Sequence, residues 1–217
     1  THRSQELFFL KTGGNVLKKT ILVIDACVRR EESRTKKLLE AALDTVRKEH
    51  PDWNLEILNL MDLDLMYWKT ETLKERDELL AKKEYDAPVF KYGNQFREAD
   101  GVIVAAPFWD LSIPAVLKVY IENISAEGIT FGCNESGLYG LCKAKWLLFF
   151  TTRGGIWADS DMEQGSTYME ALCKFFGIDE YACVYADGID VQELDGEEIL
   201  REAIEETKGI CTRLSCE

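Results

Sequence analysis

Three short stretches hold the residue types from which a ligand site could be assembled. Ala26-Cys27-Val28-Arg29-Arg30-Glu31-Glu32-Ser33-Arg34-Thr35 brings two hydroxyls and three arginines to the point where an apolar run gives way to a helix-like pattern. Free N–H groups and the positive dipole end at a helix start favour an anion there, although Ser33 would serve equally as an ordinary helix cap. Ala106-Pro107-Phe108-Trp109-Asp110-Leu111-Ser112-Ile113-Pro114 puts two adjacent aromatics just past an apolar run. A flat ring ligand would cover them, as would a neighbouring loop. Thr151-Thr152-Arg153-Gly154-Gly155-Ile156-Trp157 carries paired glycines, which let the backbone approach a ligand and aim N–H groups at it, or simply make a turn.

What the chain lacks narrows the chemistry. With only His2 and His50, mechanisms built on Ser–His, Cys–His or clustered histidines are short of parts. Seven cysteines without a C-x-x-C pair read as free, mostly buried thiols in a reducing cytoplasm, with no metal site. Neither the dinucleotide pattern G-x-G-x-x-G nor the P-loop pattern occurs. A phospho-acceptor module would place an acidic residue where Ala105 and Ala106 stand. The formal charge of −13 repels polyphosphates and excludes broad nucleic-acid binding. One phosphate can still be held by backbone N–H groups alone. No run approaches the roughly 20 apolar residues of a membrane span.

The stretches sit in a regular frame. Thr20–Asp25, Gly101–Ala105 and Lys145–Thr151 are short apolar runs of the kind that form strands buried on both faces. Asn54–Leu60 and Tyr181–Ala186 read as two more strands. Helical spacing covers Ser33–Glu49, Thr70–Lys83, Val89–Glu98, Pro114–Ser125, Ser166–Phe176 and Asp195–Leu214. Strand and helix alternate throughout, which predicts one α/β domain over residues 19–217. Its expected architecture is flavodoxin-like: a five-stranded parallel sheet, order 2-1-3-4-5, with helices on both faces. Ligands in such folds sit at the carboxyl ends of strands 1 and 3, where the three stretches would meet. Residues 1–18 carry no periodicity and open on Thr rather than Met, so an irregular extension, in part not native, is expected there.

Taken together the stretches resemble one family, the flavodoxin-like FMN-dependent NADH-azoreductases and NAD(P)H:quinone oxidoreductases. The similarity runs from about Thr20 to Asp190, through Ile24–Thr35, Ala105–Asn123, Gly128–Gly140 and Lys145–Trp157. Its most specific pieces are Ala106-Pro107 with two aromatics, then Ile113-Pro114-Ala115-x-Leu117-Lys118, and Thr152-Arg153-Gly154-Gly155. The resemblance implies an FMN phosphate on Ser33 and Thr35 with Arg34 alongside. It implies an isoalloxazine against Pro107, Phe108, Trp109 and Asp110, its pyrimidine edge facing Thr152, Arg153, Gly154 and Gly155. NADH or NADPH would be the donor and a small quinone or azo compound the acceptor, with the flavin doing the redox chemistry in a ping-pong sequence and no side-chain catalyst. Three departures stand out: Cys27 replaces a usual phosphate-loop Ser, Asp110 a usual Asn, and Trp157 a His or Tyr that covers the flavin.

Two other readings stay open. A flavodoxin-type electron carrier would also be acidic, but the first stretch lacks the Thr/Ser-x-Thr-Gly-x-Thr pattern of such carriers. A flavin reductase that releases reduced FMN differs only in how tightly flavin is retained. Finally, Pro114–Ser125 is apolar except for a narrow stripe at Lys118 and Glu122. It must therefore pack on the sheet and also be covered from outside, by a second copy in a homodimer or by the chain's own Met61–Lys83 segment.

Overall fold

The apolar runs become the centre of a sheet. The computed structural model describes residues 18–216, so the stretch expected to be irregular lies, but for Lys18, outside the described residues. Strands are Thr20–Asp25 (β1), Asn54–Asn59 (β2), Gly101–Ala105 (β3), Phe131–Asn134 (β4), Gly137–Gly140 (β5), Trp146–Thr152 (β6) and Glu180–Ala186 (β7). Helices are Arg34–Glu49 (α1), Thr70–Ala81 (α2), Lys91–Glu98 (α3), Ala115–Ile124 (α4), Gly165–Phe176 (α5) and Gly196–Thr212 (α6). Five parallel strands form the sheet in the order β2-β1-β3-β6-β7. The numbering differs from the expected 2-1-3-4-5 because β4 and β5 intervene in the chain as an antiparallel hairpin outside the sheet.

Successive strand residues point to opposite faces, so each face collects alternate side chains. Ile21, Val23, Ile103, Leu148 and Phe150 pack under α1 and α6, while Leu22, Ile24, Val102, Val104, Leu147 and Phe149 pack under α3, α4 and α5. The register sets Asp25 beside Ala105, and Ala105 beside Phe150, which brings the carboxyl ends of β1, β3 and β6 level with one another. Everything chemical follows from that alignment.

Element ends have local causes. β2 stops at Asn59, whose Oδ1 accepts the Met61 N–H and turns the chain into a single 3-10 turn over Leu60–Asp62. Pro88 opens another such turn, Pro88–Phe90, ahead of α3. The hairpin is held where Gly140 meets the end of α5: a Cβ on Gly140 would stand 1.9 Å from the Phe176 carbonyl carbon. Gly177 ends α5 at φ 78, a left-handed cap that side chains disfavour.

The segment after β2 packs on the end of α4. Leu117, Val119, Tyr120, Ile121 and Ile124 are buried. The Trp68 indole donates to Glu122 O at 3.2 Å, Asn123 Nδ2 to Met66 O at 2.8 Å and Arg76 Nη2 to Ser125 O at 3.0 Å. Arg76 also lies 5.0 Å over the Trp68 ring. The chain's own residues 66–76 thus bind the C-terminal end of α4, while Ala115 and Lys118 near its start remain exposed and Val116 half-buried. Among the described residues no helix is long and apolar enough to cross a membrane, and no group of three or more His, Cys, Asp or Glu could hold a metal ion. All seven cysteines are free thiols.

Candidate functional site

At the carboxyl edge of the sheet lies a cleft of about 250 Å³. Ser33, Arg34, Pro107, Phe108, Trp109, Thr152, Arg153 and Gly154 from the three stretches line it, together with Arg29, Glu32, Ile189 and Asp190. Its anion-binding end is the start of α1. Ser33 occupies the cap position, yet its side chain makes no capping hydrogen bond, and the first turn carries no acidic residue. The N–H groups of Arg34 and Thr35 therefore remain free among the described residues, and the Ser33 hydroxyl, which meets the Cys27 thiol, is not spent on the helix. That is the chemistry of an anion cradle rather than of a finished cap.

Beneath it, Asp25 ends β1 fully buried. Oδ1 accepts the Cys27 N–H at 2.9 Å, and Oδ2 pairs with Lys36 Nζ. Burial alone would lower the Lys36 pKa; the hydrogen bond and charge of Asp25 prevail and raise it. This pair fixes the first loop from below. Cys27, expected to touch the ligand, is 2% exposed, and its Sγ faces Ala105 O at 3.8 Å, in the core and away from the cleft. Burial, then the Asp25 charge, pushes its thiol above the usual range. Thr35 is likewise buried, its hydroxyl 2.7 Å from that of Thr152, so only its backbone N–H is left for a ligand.

The aromatic wall is shaped by a tight turn. Trp109 and Ser112 exchange N–H···O bonds of 3.1 and 2.9 Å, and between them Asp110 and Leu111 adopt φ 49 and φ 65. Two successive left-handed residues other than Gly or Asn are strained, a condition concentrated at ligand sites. The turn projects Asp110 into solvent, where its carboxylate accepts no hydrogen bond among the described residues and does not cap α4. Asp110 is outside the cleft lining, as are Gly155 and Trp157. Trp157 reaches the wall indirectly, its ring 5.7 Å from that of Phe108.

Arg153 anchors the far wall. It is 2% exposed, 3.3 Å from Glu163 and 3.6 Å from Asp187, and its guanidinium stacks over Phe108 and Tyr185 at 5.7 and 4.5 Å. Both carboxylates organise backbone: Glu163 accepts the N–H groups of Gly165 and Ser166, and Asp187 those of Trp157 and Ala158. Arg153 Nε and Nη1 have no hydrogen-bond partner. The N–H groups of Gly154 and Gly155 also donate to nothing among the described residues, whereas their carbonyls accept from Asp190 and Gly188. Of these, the Gly154 N–H lies on the cleft wall, while Arg153 Nε and Nη1 are buried behind it.

Arg29, Glu32, Ile189 and Asp190 were not anticipated as site residues. Asp187-Gly188-Ile189-Asp190 directly follows β7, and loops after parallel strands gather at the same edge of the sheet. That position was the available signal.

These features define an open α/β protein with its ligand crevice at the switch point between β1 and β3. The chain belongs to the family described as Flavodoxin-like fold, which matches residues 19–210. It is 34% identical to an FMN-dependent NADH:quinone oxidoreductase of Clostridium beijerinckii, over 87% of this chain and 96% of that one. It is 35% identical to FMN-dependent NADH:quinone oxidoreductase 2 of Clostridium acetobutylicum, over 81% and 89%. An azoreductase from Bacillus anthracis superposes with a TM-score of 0.82 at 27% identity, covering 91% of this chain and all of that one.

Proposed function

We propose that the protein is an FMN-dependent oxidoreductase that takes hydride from NADH and reduces a quinone or azo compound. The observation that carries this reading is the convergence of an uncapped helix start and an aromatic wall on one cleft. The relatives' names supply the ligand class. Ser33 Oγ and the N–H groups of Arg34 and Thr35 hold the phosphate, with Arg29 and Arg34 as counter-charges. Pro107, Phe108 and Trp109 flank the ring, and the N–H groups of Gly154 and Gly155 meet its pyrimidine edge. FMN supplies two-electron chemistry when bound, and the protein supplies position and field. A cleft of about 250 Å³ is smaller than most ligand pockets, so the ligand extends past its open rim.

Donor and acceptor use that one open face in turn. With varied NADH and quinone, double-reciprocal plots are expected to be parallel; intersecting lines would reject the shared face. The purified protein should bind FMN more tightly than riboflavin, and equal affinities would remove the phosphate assignment. A second reading, release of reduced FMN, is favoured by the open cleft and by the withdrawal of the Cys27 side chain from it. Flavin co-eluting with the protein through gel filtration after NADH reduction would decide against it.

A further inference from the structure

Two carboxylates stand among the cationic groups of the cleft, and one of them already holds an arginine. Arg34 Nη2 donates to Asp190 Oδ1 at 2.7 Å, joining the first turn of α1 to the loop after β7. The side chains are 37% and 62% exposed, so water competes for both and the pair contributes little net stability. Asp190 is nevertheless well placed. Its N–H donates to Gly154 O at 2.9 Å, and its Oδ2 lies 2.6 Å from where a Cβ on Gly154 would stand. The carboxylate thus rests against the cleft wall, facing the helix start. Glu32 lines the same cleft, so the formal charges of Arg29 and Arg34 are cancelled by those of Glu32 and Asp190.

We propose that Arg34 has two alternative partners, Asp190 and the phosphate group of the ligand, and that Asp190 sets phosphate affinity by competing for it. Asp190 is then a specificity-determining residue. It weakens the hold on the phosphate monoester without touching recognition of the ring, and it receives Arg34 again as the ligand leaves. A weak, solvated ion pair suits this exchange, because a strong buried one would not yield. The inference rests on the flavin reading only for the identity of the ester.

The test measures dissociation constants of FMN, riboflavin and inorganic phosphate for the wild type, Asp190→Asn, Arg34→Gln and the double variant. Asp190→Asn should tighten FMN and inorganic phosphate by roughly fivefold, the scale of an exposed ion pair, and leave riboflavin unchanged. Raised salt should shrink the gain. Arg34→Gln should weaken FMN, and the gain from Asp190→Asn should vanish in its background. Unchanged or weaker binding of both FMN and inorganic phosphate in Asp190→Asn would overturn the proposal. So would an undiminished gain in the double variant, which assigns plain repulsion instead of exchange. If Asp190→Asn tightens inorganic phosphate while every variant treats FMN and riboflavin alike, the exchange stands and the flavin reading falls. If the wild type prefers FMN and Asp190→Asn changes nothing, the reverse holds.

Discussion

Ser33 and Arg153 divide the work of the cleft between ligand and scaffold. A serine before a helix is ordinarily a cap, and losing a cap costs about 1 kcal/mol. Ser33 makes no such bond, so Ser33→Ala should shift urea unfolding by under about 0.5 kcal/mol while weakening FMN roughly tenfold, the scale of one charge-assisted hydrogen bond. Loss of stability with unchanged FMN affinity would make it a cap after all. Arg153 is the opposite case. Its removal leaves Glu163 and Asp187 facing each other's charge in the interior, and Arg153→Met should cost about 3–5 kcal/mol in urea unfolding. Arg153→Lys should restore only part of this, because an ammonium cannot serve two carboxylates and stack between two rings. From sequence, Ser33 and Arg153 were visible as residue types in suggestive places. Their division of roles was not, because it depends on partners contributed by Glu163 and Asp187, distant in the chain or outside the motifs.

The elements differ in how far their own residues determine them. β1, β3 and β6 were legible because a strand buried on both faces is a continuous apolar run, and the loops that follow such strands must share one edge. The β4–β5 hairpin was not. Its strands have four residues each and include Gly132, Gly137 and Gly140, so no alternating pattern exists to read. What fixes the hairpin is the close approach of Gly140 to the end of α5, a tertiary cause. Gly140→Ala should therefore lower the melting temperature more than Gly177→Ala. The first drives a methyl into backbone; the second adds only the left-handed penalty of about 1 kcal/mol. Differential scanning calorimetry of the two variants would rank them. The outer cover of α4 was likewise undecidable from its apolar composition, since a second copy and the chain's own segment satisfy the same hydrophobic demand.

For the molecule as a whole, alkaline pH is the weak side. Burial raises the thiols of Cys142, Cys173, Cys183 and Cys211 from 9.0 to about 12. Above pH 9 the unfolded chain releases these protons while the folded chain keeps them, so each added pH unit favours unfolding. Lys36, also raised from its ordinary 10.5, acts in the same direction higher up the scale. The melting temperature should be level near neutrality and fall steadily between pH 9 and 11; a flat profile to pH 11 would contradict the burial of these thiols. One part should part company with the rest well before that. α2 contains no buried residue and is tied down mainly by Trp68, Arg76 and the Met66 carbonyl. Its amides should exchange with deuterium through local opening rather than global unfolding, and trypsin should cut first between Lys69 and Lys83. Each such excursion bares the C-terminal end of α4. The segment that shields this end in the native fold thus also makes it the molecule's most accessible route to aggregation.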